Sequence, residues 1–213
     1  MMLAGTRSAF HWFAAVSLVL ACGRGGDTVS DSAATTLDMP PPAEAAERAR
    51  NAANALGRDL QTRLFAALDS GGPGRAIAFC SDSAQAWTAR HAREGVYVRR
   101  VSLRVRNPLN APDAAEEREL LRLDSLQRAG ALPAEVLRTA RTAPGDSVVE
   151  YLRPIIVQER CLACHGERER IAPAVRSILD ARYPTDQATG YRTGDLRGAL
   201  SVRVPLHPGG GAR

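Results

Sequence analysis

The sequence predicts an α+β domain with a largely antiparallel sheet, on three observations. Leu56, Leu60, Leu64 and Leu68 recur every four residues, the period of a helix with one apolar stripe. After Val96 the apolar period drops to two, and it does so again in GALSVRVPL near the end of the chain. Helical patterns come first and strand patterns later, in hairpin-like order, without the strand–helix–strand alternation of a parallel sheet.

The elements follow in order. The first 22 residues, MMLAGTRSAFHWFAAVSLVLAC, place Arg7 before a short apolar run that closes on VLAC. This is the layout of a secretory signal, too short to span a bilayer comfortably. Ala21 before Cys22 resembles a bacterial lipobox, so residues 1–21 read as a lipoprotein-type signal peptide and Cys22 as the lipidated residue. Ordinary cleavage nearby, with Cys22 a free thiol, is the alternative. Residues 22–42 are small, polar and proline-ended and read as a flexible tether. The domain is read as residues 43–206 and the last seven residues, 207–213, as a disordered tail.

Within the domain, a helix from Ala43 carries the leucine stripe until DSGGPG breaks it. A second helix sets Ile77, Cys80, Ala84 and Trp87 on its inward face, with His91 further along nearly the same face. Val101, Leu103 and Val105 alternate with Ser102, Arg104 and Arg106 as a half-buried strand. Asn107, Pro108, Asn110 and Pro112 form a turn. Asp113 and Glu116 form a capping box for a helix through about Gln127. EVLRTAR and SVVEYLR flank the turn sequence APGD as a hairpin. A short helix through IIVQER leads to the cysteine motif, a further helix over 173–182 stops at Tyr183-Pro184, and GALSVRVPL is the last strand.

Composition excludes some functions. Hydrophobic residues are 45% and charged residues 24% of 213, a globular balance able to bury a core. The net charge is +5, and all 28 basic residues are arginine. They are scattered among acids rather than interleaved with aromatics, which are only 5%, so nucleic acid is not an expected partner.

The chemistry sits in CLACHG, residues 161–166. Cys-x-x-Cys-His is the attachment sequence of haem c. Thiols separated by two residues on one turn reach the two vinyl groups of a porphyrin, and the adjacent histidine projects towards the iron. A structural zinc site needs four ligands, yet no second Cys-x-x-Cys exists. A thiol–disulfide redox pair belongs after a strand in a βαβ unit. A plain disulfide leaves His165 without a task. Haem c, one and covalent, is the reading preferred, with Cys161 and Cys164 as thioether donors and His165 as an iron ligand. The thiol-redox or zinc module using Cys161 and Cys164 is the alternative.

Cys80 is then the cysteine left over. By position it is either the opposite axial ligand, shielded on an inward helix face, or a buried small hydrophobe. His91, His207 and Met39 are the competing ligands. Arg99, Arg100, Arg104 and Arg106 are candidate partners for haem propionates, since guanidinium suits carboxylate.

Four blocks, AIAFCSDSA, RRVSLRVRNPLNAPD, EYLRPIIVQERCLACHG and YPTDQATGYRTGDLRGALSVRVP, resemble a known family of exported single-haem c-type proteins with a PAS-like fold, first catalogued as a domain of unknown function. The resemblance spans roughly residues 45–205. It implies a central antiparallel sheet with flanking helices, and it makes Cys80 the axial ligand opposite His165. Together with the lipobox, the resemblance points to a protein of the bacterial periplasm or cell envelope, held by its lipid, serving electron transfer or redox/gas sensing with a separate partner protein and expected to be non-enzymatic. No distal acid/base constellation for an enzyme is visible in the sequence.

Overall fold

The computed structural model describes residues 35–37, 39–143 and 146–206. Cys22, the signal segment, His207 and the C-terminal tail lie outside the described residues. Among the described residues, no helix is long and apolar enough to cross a membrane.

Five antiparallel strands form one sheet in the order β1-β3-β4-β5-β2. These are β1 (Thr35–Leu37), β2 (Tyr97–Val101), β3 (Val136–Ala143), β4 (Asp146–Ile156) and β5 (Leu196–Pro205). The predicted hairpin is β3–β4, paired from Val136↔Leu152 to Ala143↔Asp146. Its outer neighbour β1 falls within the stretch expected to be a tether and pairs Thr36 with Ala140.

Helix α1 (Ala43–Ala78) crosses one face of the sheet. Its leucine stripe divides in two. Leu56 and Leu60 are buried against Val149, Tyr151, Leu200 and Val202, whereas Leu64 and Leu68 line a cavity beyond the sheet. DSGGPG kinks the helix instead of ending it. Gly72 takes φ 67°, ψ −168°, a conformation essentially reserved for glycine, and Pro73 follows. The chain then runs through a single π turn, Phe79–Ser83, into α2 (Ala84–Ala89).

The opposite face is covered by α3 (Ala114–Arg128), which begins with the predicted capping box. Asp113 Oδ1 accepts from the backbone N–H groups of Ala115 and Glu116, and Glu116 accepts from the N–H of Asp113. Leu120 is buried with Val101, Leu152 and Ala199.

Two further expectations are corrected. The strand through Val101, Leu103 and Val105 ends at Val101, because the chain turns away there: Ser102 Oγ donates to carbonyls of Arg104 and Arg197. No helix runs through IIVQER. Ile155 and Ile156 extend β4, and only a 3-10 turn, Glu159–Cys161, precedes the motif. The motif helix α4 (Leu162–His165) and α5 (Pro173–Arg182) then close the end of the sheet.

Candidate functional site

A partly open cavity lies at the end of the sheet where β4 finishes and β5 starts. Its walls are mostly apolar: Leu64, Phe65, Leu68 and Ile77 from α1, and Ile155 and Ile156 from β4. Cys161, Cys164, His165 and Cys80 all border it. Cys80, some eighty residues before the motif, therefore meets Cys161, Cys164 and His165 at one space.

The motif is held by the loop that follows α5. The His165 ring lies with Nδ1 2.7 Å from the carbonyl oxygen of Ala188. A carbonyl only accepts, so Nδ1 carries the proton and Nε2 keeps a free lone pair, the form that ligates metal. Burial, reinforced by the Arg197 and Arg106 charges, holds the imidazole well below its ordinary pKa and keeps it neutral. The Tyr191 N–H donates to the His165 carbonyl at 2.9 Å, and the Gly190 N–H donates to Gly166 at 2.7 Å. Gly166 is confined to glycine by space: a Cβ there would lie 2.7 Å from the Leu162 carbonyl oxygen. Arg106 ties the assembly together, donating to the carbonyls of Cys164 (2.6 Å) and Ala188 (3.1 Å) and pairing with Asp186 at 2.9 Å.

Cys161, Cys164 and Cys80 are free thiols. Cys161 packs beside Val157, Ala188 and Tyr191, and Cys164 beside Ile77 and Val175. Cys80 sits in the π turn after α1. Such turns offset one residue from the helical ladder and recur at functional sites. Burial pushes its thiol pKa up, while Arg100, Arg106 and Arg197 pull it down. Beside it Tyr183 has its hydroxyl pKa raised to about 12, first by burial and then by Cys80.

The candidate arginines separate. Arg100 and Arg106 line the cavity. Arg99 stands on the other face of β2, donates to the Ala111 carbonyl and pairs with Glu116 at 3.1 Å. Arg104 stacks over Tyr191 at 4.2 Å and donates to Gln187. Neither borders the cavity, because strand alternation and the turn after Val101 point them elsewhere.

Sequence reasoning missed Arg197, which does border it. The β4–β5 register jumps from Ile155↔Gly198 to Ile156↔Leu196, leaving Arg197 as the extra residue of a β-bulge. A bulge re-aims a side chain, and no local sequence signal announces it except Gly198. It also missed Asp186 and Ala188, whose roles depend on a loop meeting a distant motif.

Of the competing ligands within the described residues, His91 and Met39 do not border the cavity. His91 Nε2 lies 3.2 Å from Asp59 Oδ2, and Met39 is 56% exposed. Among the described residues, no three His, Cys, Asp or Glu side chains are grouped to hold a metal ion by themselves, so a four-ligand zinc site has no ligand set.

The donors and the cavity suit a haem. Two thiols and a neutral imidazole converge on a largely apolar space whose charged lining residues, among the described residues, are arginines.

The crystal structure of the cyanobacterial heme-protein Tll0287 matches this fold with a TM-score of 0.60 and 26% identity, covering 78% of this chain and 98% of that one. No curated protein matches the chain. The α+β, PAS-like fold expected from the sequence is the fold observed. The Tll0287-like family matches residues 30–205, more than three-quarters of the sequence and every element described above, and the chain belongs to that family.

Proposed function

We propose that this protein binds one haem c, attached through thioethers to Cys161 and Cys164 and ligated by His165 and Cys80. The observation that carries the reading is the meeting of these four side chains at one apolar cavity, with the His165 ring fixed through Nδ1. Haem binding is supported further by the similarity to a solved heme-protein. The protein is non-enzymatic, exported and anchored in the cell envelope by a lipid on Cys22, and it serves electron transfer or redox/gas sensing with a partner protein.

Each residue has a physical task. His165 offers Nε2 because Ala188 occupies Nδ1. Cys80 is presented by the π turn, where burial raises its thiol pKa and the Arg100, Arg106 and Arg197 charges oppose that rise. The leucines of α1 exclude water from the same space. A bound haem supplies one-electron chemistry. A thiolate ligand pushes electron density towards the metal and favours the ferric charge, so the reduction potential is expected to be low. By the same argument Cys80 would be the less firmly held of the two ligands in a reduced haem.

The test is a pair of absorption spectra, ferric and dithionite-reduced, of protein matured with haem c attachment machinery, native and Cys80→Ser. Covalent haem with ferric bands that change in the variant supports both attachment and Cys80 ligation. Unchanged bands return Cys80 to the core. A colourless protein removes the haem reading and restores the thiol-redox alternative. Carbon monoxide added to the ferrous protein separates the two roles: binding favours sensing, and inertness over a wide pH range favours electron transfer. Replacing Cys22 with Ala should move the protein from the membrane to the soluble envelope fraction.

A further inference from the structure

Among the described residues, four arginines and no acid line the cavity, and the four are not equivalent. Arg106 has Asp186, and Arg160 has Asp69 at 2.6 Å. Among the described residues, Arg100 and Arg197 have no carboxylate partner. Arg100 makes no ion pair, and its Nε is buried without a hydrogen-bond partner. Arg197 donates only to neutral oxygens, Ser102 Oγ and the Arg104 carbonyl.

Charges taken out of water are normally paired, because an uncompensated one costs several kcal/mol. Two such cations therefore mark a place where negative charge belongs. Both sit on rigid elements. Arg100 occupies β2 on the face turned to α1, and Arg197 is the extra residue of the β5 bulge. Gly198 lets the two strands close up behind them: a Cβ there would lie 2.2 Å from the Val101 carbonyl oxygen. The bulge and the glycine together set Arg197 against this cavity and also against a second hollow beside Leu120 and Asp124 of α3.

We infer that Arg100 and Arg197 form a dicarboxylate receptor inside the cavity, each guanidinium taking one propionate of the haem. This rests on the haem reading above and deepens it: the propionates are turned inward, under the sheet end, and not left in solvent. Arg106 is excluded from the role by its bond to Asp186, and Arg99 and Arg104 by their positions.

The experiment measures equilibrium binding of haemin and of haemin dimethyl ester, whose propionates carry no charge, to the chain bearing Cys161→Ser and Cys164→Ser. Binding is then non-covalent and the two ligands differ only in their carboxylates. Haemin should bind about 10- to 100-fold more tightly than the ester, the size of one or two charge-assisted hydrogen-bonded pairs. In the further variant Arg100→Met/Arg197→Met the preference should shrink to about threefold or less. Arg100→Lys/Arg197→Lys, which keeps the charge and loses the fork, should retain part of it. Equal binding of acid and ester to the parent overturns the receptor while leaving the haem reading intact, and this comparison needs no arginine variant to fold. A preference that survives the Met pair also overturns it. Failure of both ligands to bind removes the haem reading and the receptor with it.

Discussion

At the scale of single residues, the site depends on which polar group answers which. Arg106 is only 9% exposed and Asp186 5%, and their pair braces the carbonyls that position His165. Asp186→Ala leaves a buried guanidinium without its anion, so it should destabilise the fold by about 3–5 kcal/mol in urea unfolding. The exposed pair Arg168–Asp180 has the shorter distance, 2.8 Å, yet its loss in Arg168→Ala should cost about 1 kcal/mol or less, because water screens it. Comparable losses for the two variants would contradict this ranking by burial. His91 gives the complementary case. It shares a helix face with Cys80 in a simple helical projection, but its ring is occupied by Asp59. His91→Ala should leave the absorption spectrum of the matured protein unchanged, and an altered ferric spectrum would make His91 a ligand.

At the scale of elements, what could be read in advance was whatever is decided locally. The capping box of α3 depends on residues three apart, and Asp113 with Glu116 displays it in the sequence. The β3–β4 hairpin likewise needs only alternation and a turn. The π turn at Cys80, the bulge at Arg197 and the kink at Gly72 insert or redirect one residue, and their cause lies in what packs against them. Helical periodicity could therefore place Cys80 on an inward face without showing the turn that presents it. Gly198 makes the cost of such a device measurable. With φ +152° and a backbone oxygen 2.2 Å from any added Cβ, Gly198→Ala should destabilise by about 3 kcal/mol or more, combining strain and overlap. Asp113 supplies a pH signature. Burial pushes its carboxyl up, but backbone donors and Arg203 outweigh this and hold it below the usual aspartate value of about 3.9. A depressed folded pKa adds stability above the unfolded value, lost as pH falls through the folded one. Asp113→Asn keeps a capping acceptor without the charge. Its deficit in urea unfolding should be present at pH 7 and shrink on acidification below about pH 4; a deficit independent of pH would assign the effect to capping geometry alone.

At the scale of the whole domain, the two faces of the sheet do different work. The α1 face is apolar and runs out into the cavity, whereas the α3 face carries a buried charged layer. There Glu116, Glu119 and Glu150 are each under 7% exposed and are met by Arg99, Arg138 and Arg203. Arg138 is central, lying 3.2 Å from Glu119 and 2.8 Å from Glu150. Its removal leaves two carboxylates in one desolvated place, with Arg122 still beside Glu119 and Arg203 at 3.4 Å from Glu150. Arg138→Met should therefore cost about 3–5 kcal/mol, while replacing the trio together by Glu119→Leu, Arg138→Met and Glu150→Leu should be close to neutral, since desolvating ions offsets much of their attraction. Because this layer and the cavity lie on opposite faces, both variants should give the native haem spectrum in their folded fraction. A changed spectrum in the folded trio variant would mean that the charged layer is coupled through the sheet to Arg100, Arg197 and the motif loop. An unchanged spectrum, with stability lost in one variant and restored in the other, would assign the layer to holding α3 and leave the chemistry to the other face.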